Sequence, residues 1–227
     1  LTIPEGYRLS QIEGILKNQG FDLKRDDWQR LVSNPQLIKE YQIPNVNLEG
    51  YLFPNTYFYS KATTPEDLVK EMVKTFRQKI TPEMTEKARV AGFTLHQWVT
   101  LASIIEKETG VASERPLIAR VFLNRLSQQM LLQTDPTVIY GIPDYKGNIT
   151  RADLERDSPY NTYTRAGLPP GPICSPGLAS LIAVLEPASG PYLYFVAKGD
   201  GTHHFSKNLE EHNQAVNFYQ RHIGNPP

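Results

Sequence analysis

The chain has 227 residues, 40% of them hydrophobic and 21% charged, which suffices for one sizeable core or a core with a smaller lobe. Its 24 basic and 24 acidic side chains cancel, so no whole-chain field gathers nucleic acid or an anionic membrane surface. The single cysteine, Cys174, excludes an internal disulfide, and no window nears the roughly 18 apolar residues of a membrane span.

The chain opens at Leu1-Thr-Ile-Pro4 with neither a starting methionine nor a signal-like segment, and is read as an excised fragment. Leu9, Ile12, Ile15 and Leu16 have helical spacing, with Gly20 as the stop. A second amphipathic piece covers about Asp26 to Val32, and Ile43-Pro44-Asn45 breaks the pattern. The aromatic stretch from Leu48 to Tyr59 is too interrupted for a helix and reads as a packed, extended connector. Thr64-Pro65-Glu66-Asp67 opens a helix to about Ile80, with cap, first-turn proline and acids at the positive dipole end. Thr81-Pro82-Glu83 opens another that ends near Gly92.

Thr94 and Gln97 form a capping box, and Gly110 sits where a left-handed stop is expected. The helix between them carries Leu95, Trp98, Val99, Leu101, Ala102, Ile104 and Ile105, and closes on Glu106-Lys107-Glu108. A further helix runs from about Ser113 to Gln129 with Leu117, Val121, Phe122 and Leu126 buried. From Leu131 the texture turns to prolines, glycines and short β-prone runs. Ser175-Pro176 starts a helix through Leu185; Tyr192–Lys198 and Thr202–Phe205 form a hairpin about Gly199-Asp200-Gly201; and a helix from Asn208 to His222 ends the pattern. The expected class is α+β, a helical body with a small antiparallel sheet, divided into a helical accessory lobe over 1–92 and a catalytic domain over 93–227.

At 100° per residue Glu106 and Glu108 both fall within or at the edge of the apolar arc, while Lys107 points away. Desolvation raises a carboxyl pKa, and an acid still protonated near neutrality is what sugar cleavage requires. Of the two, Glu106 projects deeper into the arc. It also suits an ion pair with Arg120 or Arg125. The segments Leu132–Thr137 and Ser158–Tyr163 supply the amides, hydroxyls and tyrosines of a carbohydrate cleft, although Gln133-Thr134-Asp135-Pro136 also suits a plain turn. The Tyr51–Tyr59 aromatics suit core packing better than a sugar platform. His203 and His204, with His212, lack metal-ligand spacing, and alternation along a strand separates the first two, so no metal is expected and one histidine facing the cleft is the better reading. No nucleophile elbow, phosphate loop or dinucleotide motif occurs, and Cys174 has no evident histidine partner. No cofactor is expected.

Four ordered blocks carry a resemblance. Leu101-Ala-Ser-Ile-Ile-Glu-Lys-Glu-Thr109, Leu132-Gln-Thr-Asp-Pro-Thr-Val-Ile-Tyr-Gly141, Tyr160-Asn-Thr-Tyr163 and Gly167-Leu-Pro-Pro-Gly171 are similar to those of the YceG-like (MltG) family of endolytic murein transglycosylases, as are Leu48–Thr56 and Tyr192–Val196. The resemblance implies a lysozyme-like cleft, with Glu108 as catalytic acid/base and Glu106 in support. As secondary sites, Gln133, Thr134, Tyr160 and Asn161 are expected to line the cleft. It further implies peptidoglycan glycan strands as substrate, cell-wall synthesis proteins as partners, and an upstream single-pass membrane helix and LysM-like domain that hold the catalytic part on the extracytoplasmic side. Two rivals stay open: a muramidase-type hydrolase pairing Glu108 with Asp135, Asp144 or Asp157, and a peptidoglycan-binding module without turnover.

Overall fold

The computed structural model describes residues 1–24, 26–143 and 145–227. Among them the chain is α+β, mostly helical with two two-stranded antiparallel sheets, one more than the sequence suggested. It packs as two units, Leu1–Glu106 with Gly171–Leu181, and Lys107–Pro170 with Ile182–Pro227. Both are discontinuous in sequence.

In the first unit β1 (Thr2–Ile3) is followed by α1 (Leu9–Asn18), α2 (Asp27–Val32) and α3 (Pro35–Glu40). The sequence reading passed over α3, although Asn34 caps it by accepting from the Gln36 N–H at 2.8 Å. The aromatic connector splits. Tyr51, Leu52, Phe53 and Tyr57 are buried, β2 (Asn55–Thr56) pairs antiparallel with β1, and Phe58 is 97% exposed. Next come α4 (Pro65–Lys79) and α5 (Pro82–Val90), whose threonine caps are as expected: Thr64 exchanges hydrogen bonds with Asp67, and Thr81 accepts from the Met84 N–H.

The Thr94–Gln97 capping box then opens α6 (Leu95–Glu108). From Trp98 to Ile105 every residue of α6 is buried, polar Thr100 and Ser103 included. Those two hydroxyls are satisfied by the helix's own carbonyls, on His96 and Thr100. The helix thus has no solvent face over two turns. Residues 171–181 join this unit because α6 supplies their partners. Ser103 Oγ accepts from the Ile173 N–H, the Cys174 thiol donates to the Ser103 carbonyl, and Trp98 Nε1 donates to the Leu181 carbonyl at 2.8 Å. Pro172 packs so close to Gly50 that a Cβ there would lie 2.4 Å from its own, and Gly50 has φ +84°. Fully burying Trp98 makes Trp98→Ala a loss of about 3–5 kcal/mol.

In the second unit a single turn at Ala112–Glu114 leads into α7 (Arg115–Ser127). Its buried face is Ile118, Ala119, Val121, Phe122 and Arg125, whereas Leu117 and Leu126, expected in the core, are only half-buried. The face is rotated because Arg125 turns inward onto backbone carbonyls. Two short helices not foreseen follow, α8 (Asp135–Tyr140) and α9 (Arg151–Glu155). α10 (Leu178–Leu185) continues into this unit, followed by the hairpin of β3 (Tyr194–Ala197) and β4 (His203–Ser206), with Phe195 opposite Phe205 and Ala197 opposite His203. Gly199 and Gly201 both take positive φ in its turn, as the sequence required. α11 (Leu209–Tyr219) packs on the hairpin and stops short of His222. Among the described residues no helix is long and apolar enough to cross a membrane.

Candidate active site

Glu108 is the last residue of α6, half-buried where the helix ends. Gly110, the expected left-handed stop, does not take positive φ. Thr109 ends the helix instead, its hydroxyl accepting from the Val111 N–H at 3.0 Å and donating to Glu114 Oε2 at 3.2 Å. The Glu108 carboxyl therefore leaves the helix at a fixed point. The Thr134 hydroxyl donates to its Oε1. Burial pushes the Glu108 pKa up to about 7; the Thr134 bond works against that rise and the charge of Asp135 adds to it.

Thr134 reaches Glu108 because its loop is pinned on both sides. Gln133 sits in the left-handed region at φ 52°, and its N–H donates to the Thr162 carbonyl. The Thr134 N–H donates to Thr162 Oγ1 at 3.1 Å, and Thr137 Oγ1 donates to the Thr134 carbonyl at 2.7 Å. Thr134 stands at the N-cap of α8 yet makes no capping bond with its side chain. A cap of that kind is worth about 1 kcal/mol, so the hydroxyl is committed to the carboxyl at a cost to the helix. A strained backbone and a diverted cap in adjacent residues are typical of a functional site. Asp135 follows in the first turn of α8, where it accepts from the Tyr163 hydroxyl at 2.6 Å. Burial, reinforced by Asp135 and Glu108, holds the Tyr163 phenol well above its ordinary pKa, so it is a donor throughout the useful pH range.

These groups share a cavity of about 330 Å³ in the second unit, with Glu108, Arg125, Gln133, Asp135, Tyr163 and His203 on its polar walls. Arg125 is buried, with its guanidinium spent on the Leu193, Leu131 and Leu132 carbonyls and lying 4.9 Å from the Tyr194 ring centroid. That binding fixes the loop before Gln133 to the start of the hairpin. Phe195 and His212 also line it. The cavity offers a protonatable acid, a carboxylate, amide and hydroxyl groups, and an aromatic face. Such a set suits a neutral, hydroxyl-rich ligand.

The structure brings Glu108, Gln133 and Thr134 together as expected and leaves three other sequence candidates elsewhere. Glu106 Oε2 accepts from the Gly177 N–H at 2.9 Å and from the Ser180 hydroxyl at 2.7 Å, which caps the start of α10. Arg120 and Arg125, the arginines the sequence suggested for it, instead donate to backbone carbonyls, of Ala188 for the first and of Leu193, Leu131 and Leu132 for the second. Asn161 is buried and gives its amide N–H groups to the Leu154 and Arg156 carbonyls, while its Oδ1 accepts from the Tyr163 N–H. It braces the loop that carries Tyr163. The Tyr160 ring rests against Tyr140, 4.7 Å between centroids, outside the cavity wall. Of the rival carboxylates Asp135 lines the cavity, Asp157 is exposed and paired with Arg165, and Asp144 lies outside the described residues. The histidines separate as alternation demands, His203 on Glu114 and His204 against Tyr219.

Sequence reading did not name Tyr163 or Glu114 as site residues, and it offered Arg125 only as a partner for Glu106. Tyr163 could have been found from its place in the Tyr-Asn-Thr-Tyr block. Glu114 and Arg125 carried no signal because the partners that tie them to the hairpin, His203 and the Leu193 carbonyl, lie 89 and 68 residues along the chain.

Comparison with known proteins agrees across the chain. The model of the YceG-like family matches residues 1–218. An endolytic murein transglycosylase of Bacillus subtilis (strain 168) is 40% identical, aligned over 96% of this chain and 64% of its own length. One from Streptococcus pneumoniae serotype 2 (strain D39 / NCTC 7466) is 34% identical over 95% of this chain and 44% of its own. This chain therefore spans about two thirds or less of the length of these relatives. A crystal structure of a YceG-like protein from Listeria monocytogenes superposes with a TM-score of 0.84 at 42% identity, covering 94% of this chain and 74% of that one. With a family match that leaves out only its last few residues, and a fold shared at that identity, the chain belongs to the YceG-like family.

Proposed function

We propose that this chain carries the catalytic part of an endolytic lytic transglycosylase that cuts peptidoglycan glycan strands between N-acetylmuramic acid and N-acetylglucosamine. The observation that carries the reading is the Glu108 carboxyl, held near a pKa of about 7 at the edge of a polar cavity. In the protonated form it donates to the glycosidic oxygen as the C1–oxygen bond breaks and positive charge develops on the muramoyl ring. The resulting carboxylate takes the proton of the C6 hydroxyl of the same sugar. That oxygen closes on C1, a 1,6-anhydro ring forms, no water is consumed, and Glu108 ends protonated as it began. The nucleophile is part of the substrate, so proximity replaces a second catalytic carboxylate. General acid–base assistance of this kind contributes about 10²–10⁴-fold in rate.

In this reading the cavity is the lysozyme-like cleft, Gln133 meets the sugar, Thr134 orients Glu108, and Glu106 and Asn161 act as braces. Tyr160 and Tyr140 offer a ring pair farther out. The 93–227 region supplies the chemistry and the 1–92 region is accessory. Acting on murein, the chain works on the extracytoplasmic side, tethered through a membrane helix outside this sequence and alongside cell-wall synthesis proteins. The names of its relatives, endolytic murein transglycosylases, support the substrate and the class of reaction.

Glu108→Gln keeps the shape and the Thr134 bond but cannot supply the proton. Incubated with purified sacculi, it should release no new fragments while retaining the circular dichroism of the parent. Cleavage at near-parental rate would end the assignment. Asp135, a second carboxylate on the same cavity, is what favours the competing hydrolase, because retaining and inverting glycosidases work with two carboxyls.

A further inference from the structure

We propose that His203, fixed in one orientation by the buried carboxylate of Glu114, contacts the glycan through its ring Nε2 in the cavity that holds Glu108. The inference rests on the transglycosylase reading for the identity of the ligand. Its geometric basis is independent of Glu108. Glu114 Oε1 accepts from the His203 backbone N–H and Oε2 from the ring Nδ1, both at 2.7 Å. Glu114 is buried, which would raise its pKa, yet the His203 ring and backbone N–H together with the Thr109 hydroxyl bring it below the usual carboxylate range. An ionised carboxylate only accepts, so Nδ1 carries the hydrogen, and in the neutral form of the ring Nε2 is an acceptor.

The position of the ring makes that acceptor useful. His203 lines the cavity with Glu108, Gln133 and Tyr163. Phe195 packs against it in a T-shaped arrangement at 5.4 Å between centroids and Phe205 at 6.5 Å, and Nε2 is the ring nitrogen that Glu114 does not engage. All hydrogen bonds of the ring among the described residues are to Glu114. A backbone N–H to Glu114 alone would tie the hairpin to the turn before α7. The added ring bond sets rotamer and tautomer, as a second layer of contacts does for a ligand-binding imidazole. A sugar hydroxyl or the N–H of an acetamido group supplies the matching donor. Glu114 is then a positioning residue that acts through His203. The other charged or titratable groups around the ring's cavity are Glu108, Asp135, Arg125, Tyr163 and His212.

The test uses Glu108→Gln as a non-cutting background and a soluble, uncross-linked oligomer of alternating N-acetylglucosamine and N-acetylmuramic acid, with binding followed by calorimetry. His203→Asn in that background retains an amide N–H in place of Nδ1 for Glu114 and loses the atom at Nε2. It should bind the oligomer about tenfold more weakly with an unchanged melting temperature. His203→Gln, which restores an acceptor near Nε2, should recover part of that loss. Glu114→Gln should weaken binding when His203 is present and add nothing once His203 is Asn, a coupling that general destabilisation does not produce. Equal affinity for His203→Asn and its background, or no binding in the background, overturns the inference. Cleavage by the unsubstituted chain reports separately on the transglycosylase reading.

Discussion

The Thr134 hydroxyl donates to the Glu108 carboxyl from the N-cap position of α8, a place where such a hydroxyl would ordinarily serve its own helix. Two neighbours in sequence, Thr134 and Asp135, thus act on one acid in opposite senses. The donor favours the carboxylate, and the adjacent negative charge favours the protonated form.

Thr134→Val keeps the volume and removes the donor. The Glu108 carboxylate loses stabilisation, its pKa rises, and the fall in kcat/KM at high pH should move to higher pH. Loss of orientation should also reduce kcat by about tenfold at the optimum. Rates followed from pH 5 to 9 on purified murein decide it. A limb that stays in place or moves down contradicts the role given to Thr134.

Asp135→Asn removes the charge and leaves an oxygen to accept from Tyr163. The Glu108 pKa should fall, and the high-pH limb should move down, opposite to the Thr134 variant. Activity below that limb should persist within about tenfold, since the ring closure uses one carboxyl. Complete loss of cleavage would instead indicate a required second carboxylate and favour the hydrolase.

Glu108→Gln should be more stable than the parent at pH 8 and nearly equal to it at pH 4. The folded-state pKa of about 7 lies above the ordinary glutamate value of 4.5. The folded chain therefore holds the proton more tightly than the unfolded one, and stability declines as pH rises between those two values. Above pH 7 the buried charge costs the parent about 1–3 kcal/mol, which the amide avoids. Urea melts of both proteins at the two pH values measure it. A gain that is the same at both would mean the stability difference does not come from Glu108 ionisation.

Glu106→Ala should lower stability by about 1–3 kcal/mol, because it strips the Gly177 N–H and the Ser180 hydroxyl of their acceptor at the start of α10. Cleavage per folded molecule should change by less than about tenfold. Inactivity in a variant with parental thermal stability would restore Glu106 to the chemistry.

Much of this was legible beforehand where the signal is local. The Thr64, Thr81 and Thr94 caps, the glycine turn of the hairpin and the Asn208 start of α11 each depend on residues a few positions apart, and each appears as read. The choice between Glu106 and Glu108 was not legible from periodicity. A helical wheel assumes one buried arc, whereas α6 is buried all round from Trp98 to Ile105, so depth in the arc carries no information about function. What separates the two glutamates is their partners, Gly177 and Ser180 for one, Thr134 for the other, and those lie from 26 to 74 residues away. Asn161 misled for a related reason. An amide in a polar loop looks available for a ligand until the Leu154 and Arg156 carbonyls are seen to occupy it. The short helices α8 and α9 were hidden by the prolines and glycines around them.

The chemistry assigned to Glu108 is tested most directly by the mass of the glycan ends formed on digesting intact murein. New muramoyl ends one water lighter than reducing ends, appearing with the parent and absent with Glu108→Gln, are the expected result. Reducing ends as the primary products, or light ends formed equally by both proteins, would contradict it.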